Sequence, residues 1–142
     1  MSGYKHIEEA IGTFIGMRYR RCVEVGYGGN LVAASIIQRR GGSILCVDRK
    51  PFPPAGTVRT AVDDITDPDL RLYRGSDCIY AIRPGIEMMP DLIELAANVR
   101  SDLLIYHLGC EIYQDGGERI DCGVILHRYC AKQKTQSERE KC

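Results

Sequence analysis

Three glycines, Gly26, Gly28 and Gly29, follow a short apolar run in "CVEVGYGGN" (residues 22–30) and lead into a helix-forming segment. Glycine has no Cβ, so such a loop can adopt positive φ and admit a ligand close to its backbone. Exposed N–H groups at the start of the next helix attract an electronegative group. Asp48 ends the next apolar run, roughly 20 residues on, where a carboxylate suits the hydroxyls of a ribose. Asp63 and Asp64 close a third run, and Asn30 ends the glycine loop. Acids at strand ends beside a glycine loop are equipment for holding a nucleoside.

Groups that could act on a bound molecule are fewer. Arg83, in "AIRPGIE", carries a rigid donor fork suited to a carboxylate or phosphate. Tyr80 precedes it by three residues. His107 closes "DLLIYHL" and titrates near neutrality, as a general base would. Cys110, Cys122, His127 and Cys130 are metal-ligand types, but C-x4-H-x2-C is not a common zinc spacing, so no metal is expected. The remaining cysteines read as buried, unreactive thiols.

These residues need a scaffold that brings distant strand ends together. Ile7, Ala10, Ile11, Phe14 and Ile15 recur at helical spacing, with Glu8 and Glu9 on the other side. Short apolar strands are expected over 21–25, 43–47, 57–62, 77–82, 102–108 and 118–129. Between them, 31–40 forms a helix that ends at Gly41-Gly42. Residues 49–56 form a proline-rich loop, and 67–73 a short helix begun by Asp67 with Pro68 in its first turn. Met89, Leu92, Ile93, Ala96 and Val99 stripe a third long helix.

Alternation of strands with helices predicts an α/β, three-layer Rossmann-like sandwich. Its mostly parallel sheet has about six strands, with helices on both faces. Residues 1–129 are expected to form one such domain, and the polar stretch 130–142 a disordered tail. In such sheets ligands sit beyond the carboxyl ends of the strands, where the strand order reverses.

Bulk properties narrow the function. The 142 residues carry 19 basic and 19 acidic side chains, a formal net charge of zero. That balance disfavours broad attraction to nucleic acid. No apolar run is long enough for a membrane span, and the first residues lack a signal-peptide layout. Seven cysteines without a small-scaffold spacing fit reduced thiols and a cytoplasmic location. Exposed strand edges leave room for a second copy or a protein partner.

The glycine loop departs from the dinucleotide fingerprint at its last position, which is Leu31, so an NAD site is less expected. "VEVGYGGN" instead resembles the first motif of class I S-adenosylmethionine-dependent methyltransferases. Glu24, Gly26 and Gly28 match its acid and first two glycines, while Asn30 stands for the frequent third. By that resemblance Asp48 takes the place of the ribose-binding acid, and Asp64-Ile65 the place that meets the adenine. The resemblance departs after strand four, where Arg83 replaces an Asn or Asp that would receive an amine.

Through "VEVGYGGN", "VDDITDP" and "IYAIRPGIE", the whole chain is similar to a small, uncharacterised archaeal family with a minimal Rossmann-like fold. Membership implies the fold and a cofactor pocket, and no established reaction. The expectation is a domain that binds S-adenosylmethionine or a related nucleoside through Glu24, Gly26, Gly28, Gly29, Asn30, Asp48, Asp63 and Asp64, and that acts as a small methyltransferase. The alternatives are a non-catalytic nucleotide-sensing or partner-binding module, and an NAD-binding protein.

Overall fold

A computed structural model describes residues 2–109 and 111–130. Helix α1 (Ser2–Arg18) precedes strand β1 (Arg21–Val25), and α2 (Val32–Arg39) joins it to β2 (Ser43–Asp48). Strand β3 (Arg59–Val62) follows, then a 3-10 turn (Leu70–Leu72) and β4 (Cys78–Ile82). A second 3-10 turn (Ile86–Met88) runs into α3 (Met89–Val99). Strands β5 (Asp102–Tyr106), β6 (Glu118–Asp121) and β7 (Ile125–Cys130) complete the described chain.

The strands form one sheet in the order β3-β2-β1-β4-β5-β7-β6. The first five run parallel, and β7 is antiparallel to both β5 and β6. Consecutive apolar residues mark β1, β4 and β5 because side chains on both faces are covered. Val23, Val25, Ile79, Ala81, Leu103 and Ile105 pack with Met89, Leu92, Leu95 and Ala96 of α3. The alternate residues Cys22, Cys46, Cys78, Tyr80 and Leu104 pack with Ile11 and Ile15 of α1 and Ala33, Ala34 and Ile37 of α2. Helices therefore cover both faces, as expected.

Close packing of α1 on α2 has a local cause. A Cβ at Gly12 would lie 2.8 Å from the carbonyl oxygen of Ala33, so only glycine lets the two helices approach this far.

Two elements differ from the sequence expectation. Residues 118–129 are a hairpin, not one strand, and the sheet has seven strands. Asp121 accepts the Gly123 N–H at 3.0 Å, and Gly123 turns at φ +98°. This Asx turn outweighs the apolar run that follows it. The helix expected over 67–73 is a single 3-10 turn, begun by Asp69, which accepts the Arg71 N–H at 3.1 Å. The expected tail lies outside the described residues except for Cys130, whose backbone ends β7.

Strand β1 sits between β2 and β4, so the chain leaves the centre toward one edge and then crosses back. A cleft must open beyond the carboxyl ends of β1 and β4, where the two flanking connections diverge.

Candidate functional site

That cleft has a volume of about 320 Å³. Its floor is the end of β1, at Val25 and Gly26, with Asp48 on one side. Asp63, Asp64, Ile65 and Thr66 form the wall beyond β3. Glu87, Met88 and Asp91 close it from the start of α3. Five carboxylates face the space, and Arg49 is the cation among its lining residues.

The glycine loop is held by β2. Gly26 donates its N–H to the Val47 carbonyl at 2.8 Å, and Gly28 donates to Asp48 Oδ2 at 3.0 Å. The Lys50 backbone N–H donates to the other carboxylate oxygen at 3.1 Å. Asp48 is thus fixed at the mouth of the cleft, with lone pairs left on both oxygens. Gly26, Gly28 and Gly29 all have positive φ, which a residue with a Cβ would hold only under strain. Gly29 also leaves room for Phe52 of the proline-rich loop, 3.0 Å from where its Cβ would stand.

Asp63 and Asp64 behave differently. Asp63 accepts the Tyr73 hydroxyl at 2.6 Å and the Asp69 N–H at 3.1 Å, tying the crossover segment to the cleft wall. Asp64 accepts the N–H and hydroxyl of Thr66 at 3.0 and 2.8 Å. These bonds hold its carboxyl below the usual range. Ile65, between them, is buried.

The structure places Glu24 on the α1/α2 face of β1, outside the cleft lining. It accepts the Tyr80 hydroxyl at 2.8 Å, and burial pushes its pKa up to about 8, with the nearby Glu8 adding to the rise. The carboxyl is therefore mostly protonated at neutral pH. Tyr80 is equally buried, and burial followed by the charge of Glu24 holds its hydroxyl far above its ordinary range. Asn30 caps the start of α2 through the Val32 N–H at 3.0 Å and reaches Glu8 of α1 at 3.3 Å.

Arg83 also points to α1. Its two terminal nitrogens bond the two oxygens of Glu8, each at 3.2 Å, and its guanidinium lies 5.5 Å from the Tyr106 ring centroid. Glu8 is 4% exposed, so the pair locks α1 to the end of β4. Arg83 itself turns the chain there at φ +56°.

His107 follows β5 outside the cleft lining and reaches over to β7. Its Nε2 is 2.7 Å from the Tyr129 hydroxyl, which donates to the Tyr113 carbonyl at 2.9 Å. With that one proton spent on Tyr113, Nε2 is the donor. Burial, and then the neighbouring His127, push its pKa down. His127 is held by the Gly116 carbonyl at 2.8 Å, and the Cys122 thiol by the Val124 carbonyl at 3.4 Å. Cys110 lies outside the described residues.

The expected site residues therefore separate into three groups. Gly26, Asp48, Asp63 and Asp64 meet around one cleft, with Gly28 bonded to Asp48. Glu24, Asn30, Tyr80 and Arg83 join a polar network under α1, and His107 joins a third cluster. Met88 and Asp91 of the cleft were not expected. The signal for them was the stiff Pro84-Gly85 turn, which carries the chain back over the strand ends. A Cβ at Gly85 would lie 2.0 Å from Glu87 Oε2, so this glycine is what lets Glu87 fold over the turn.

Comparison with known proteins adds a family. The model of an uncharacterised protein family, UPF0146, matches residues 7–120. The UPF0146 protein of Archaeoglobus fulgidus is 34% identical over 96 residues, covering 67% of this chain and 74% of its own. That of Pyrococcus horikoshii is 34% identical over 117 residues, covering 80% and 84%. Among solved structures, a putative caffeoyl-CoA O-methyltransferase from Staphylococcus aureus matches with TM-score 0.54 at 10% identity, over 70% of this chain and 56% of that one. Cofactor-bound Rv0187 from MTB matches with TM-score 0.53 at 15% identity, over 70% and 54%. The chain thus spans little more than half the length of these two structures, and the likeness is one of fold.

Proposed function

From the premise that the chain belongs to the uncharacterised archaeal family UPF0146 and has a methyltransferase-like Rossmann fold, we propose that its cleft binds S-adenosylmethionine or its demethylated product. The observation that carries this reading is the Gly28–Asp48 bond of 3.0 Å, which fastens the glycine loop to the strand-two acid at the mouth of one cleft. The residues present fit the ligand's chemistry. Asp48 has lone pairs for ribose hydroxyls, and Ile65 and Met88 offer apolar surface to a flat base. The carboxylates of Asp64, Glu87 and Asp91 complement a cationic sulfonium and ammonium. When bound, the cofactor would supply an activated methyl group.

Titration calorimetry with S-adenosylmethionine, S-adenosylhomocysteine, NAD and ATP tests the reading. Saturable binding of the first two alone is expected. Asp48→Ala removes the carboxylate and should weaken binding roughly tenfold or more, the loss of one hydrogen-bonded charged partner. Equal affinity in Asp48→Ala and the parent would refute the pocket assignment.

A second reading concerns chemistry. Tyr80, Arg83 and His107 are each engaged in a structural bond away from the cleft. That arrangement favours a domain that binds the nucleoside without methylating anything by its own residues, as a sensing or partner-binding module would. Turnover on a broad panel of methyl acceptors would sink this second reading and leave the binding proposal intact.

A further inference from the structure

The opposite end of the sheet carries the opposite charge. On the α3 face, α3 packs against β5 and β7, and the segment after β3 crosses the amino ends of β1, β2 and β3. Between that segment and the strands lies a concavity of about 410 Å³. Four arginines line it: Arg21 at the start of β1, Arg59 at the start of β3, and Arg71 and Arg74 from the crossover. No aspartate or glutamate is among its lining residues.

The partners of these arginines sharpen the point. Arg71 is paired with Asp69 at 2.8 Å. Among the described residues, Arg59 reaches only the Ser43 hydroxyl, at 3.4 Å. Among the described residues, Arg21 and Arg74 make no ion pair or side-chain hydrogen bond. Gly75 turns at φ +82°, and its Cβ position would be 3.3 Å from Arg21 Nη1, so the turn leaves the guanidinium room beside its backbone. A chain with no net charge has gathered four like charges in one concavity; among the described residues Asp69 offsets Arg71, and the excess positive charge that is left favours a bound anion.

We infer that this concavity is a binding site for a small phosphorylated molecule carrying two adjacent phosphate groups. Arginine forks match phosphate oxygens two at a time, and three guanidiniums without carboxylate partners supply more donors than one phosphate can use. The Ser43 hydroxyl accepts from Arg59 and keeps its own proton to donate. The four arginines converge on a space of about 410 Å³ under the crossover, a size that suits a small molecule. It stands at the far end of β1 from the acid-lined cleft, so the inference is independent of the proposed function.

Inorganic pyrophosphate is the probe, titrated calorimetrically into the full chain. Saturable binding at one site is expected, unchanged by excess S-adenosylhomocysteine. The double variant Arg21→Gln/Arg74→Gln alters two exposed side chains and should bind at least roughly tenfold more weakly. Arg39→Gln, an exposed arginine on α2, should bind as the parent does. Far-ultraviolet circular dichroism identical among the three proteins excludes unfolding as the cause. Absence of saturable binding, equal affinity in the double variant, or displacement by S-adenosylhomocysteine would overturn the assignment. So would tighter, Arg21-dependent binding of a short oligoribonucleotide, which would make the concavity part of a polymer groove.

Discussion

Glu24→Gln keeps the shape of a buried side chain and deletes its titration. The carboxyl is driven from its ordinary 4.5 up to about 8 by burial, with Glu8 adding to the rise and the Tyr80 hydroxyl opposing it. Below pH 4.5 the folded and unfolded chains both hold the proton, and the group costs nothing. Between 4.5 and 8 the unfolded chain releases it while the folded chain retains it. Stability then falls as pH rises, by about 1.4 kcal/mol per pH unit, and the loss is complete above the folded value. Over the whole interval this amounts to roughly 5 kcal/mol. The glutamine carbonyl still accepts from Tyr80 and carries no charge. Urea unfolding of both proteins from pH 5 to 8.5 isolates the contribution of Glu24, because other titrations cancel in the difference. The gap between the urea midpoints should change by roughly 2 to 3 M across that range, in favour of the glutamine variant at high pH. Parallel pH profiles would show that Glu24 is solvated or ionised in the folded state, and the argument would fail.

Two further substitutions test the scaffold of the site. Gly29→Ala forces a Cβ into φ +81° and to within 3.0 Å of Phe52; a loss of about 2 kcal/mol and a fall of roughly 6 °C in Tm are expected by scanning calorimetry, and an unchanged Tm would refute the strain. Arg83→Ala leaves Glu8 buried without its main partner and should cost about 2 to 3 kcal/mol, less than for a fully dry pair because the arginine side chain keeps 21% exposure. The double variant Glu8→Ala/Arg83→Ala should cost clearly less than the two single losses together, and strict additivity would mean that the pair does not interact.

Much of the fold was legible because it follows from periodicity. The stripe through Ile11 and Ile15 marks the buried face of α1, where both are 0% exposed, and glycine pairs ended α2 where expected. The acids at strand ends were legible for the same reason, since parallel strands place their last residues on one edge. What stayed hidden were side-chain partners far apart in sequence. Glu24 looked like a cleft residue beside its glycines, yet strand alternation turns it to the opposite face from Val23 and Val25, toward Tyr80. Arg83 looked like a substrate clamp until α1 brought Glu8 against it. The hairpin at 121–125 was missed because an apolar run masked a three-residue turn signal, Asp-Cys-Gly.

Cys22, Cys46 and Cys78 lie on adjacent strands beneath α1 and α2, each at most 3% exposed. Burial also pushes the thiols of Cys46 and Cys78 up, away from the reactive thiolate. A thiol reagent can modify them only in molecules whose helices have lifted from the sheet. The rate of their labelling therefore counts opening events in the unperturbed protein. If α1 lifts alone, labelling will be insensitive to low denaturant; if the sheet must open, it will track global unfolding. The chain carries its own clock for the movement that would expose the face behind the cleft.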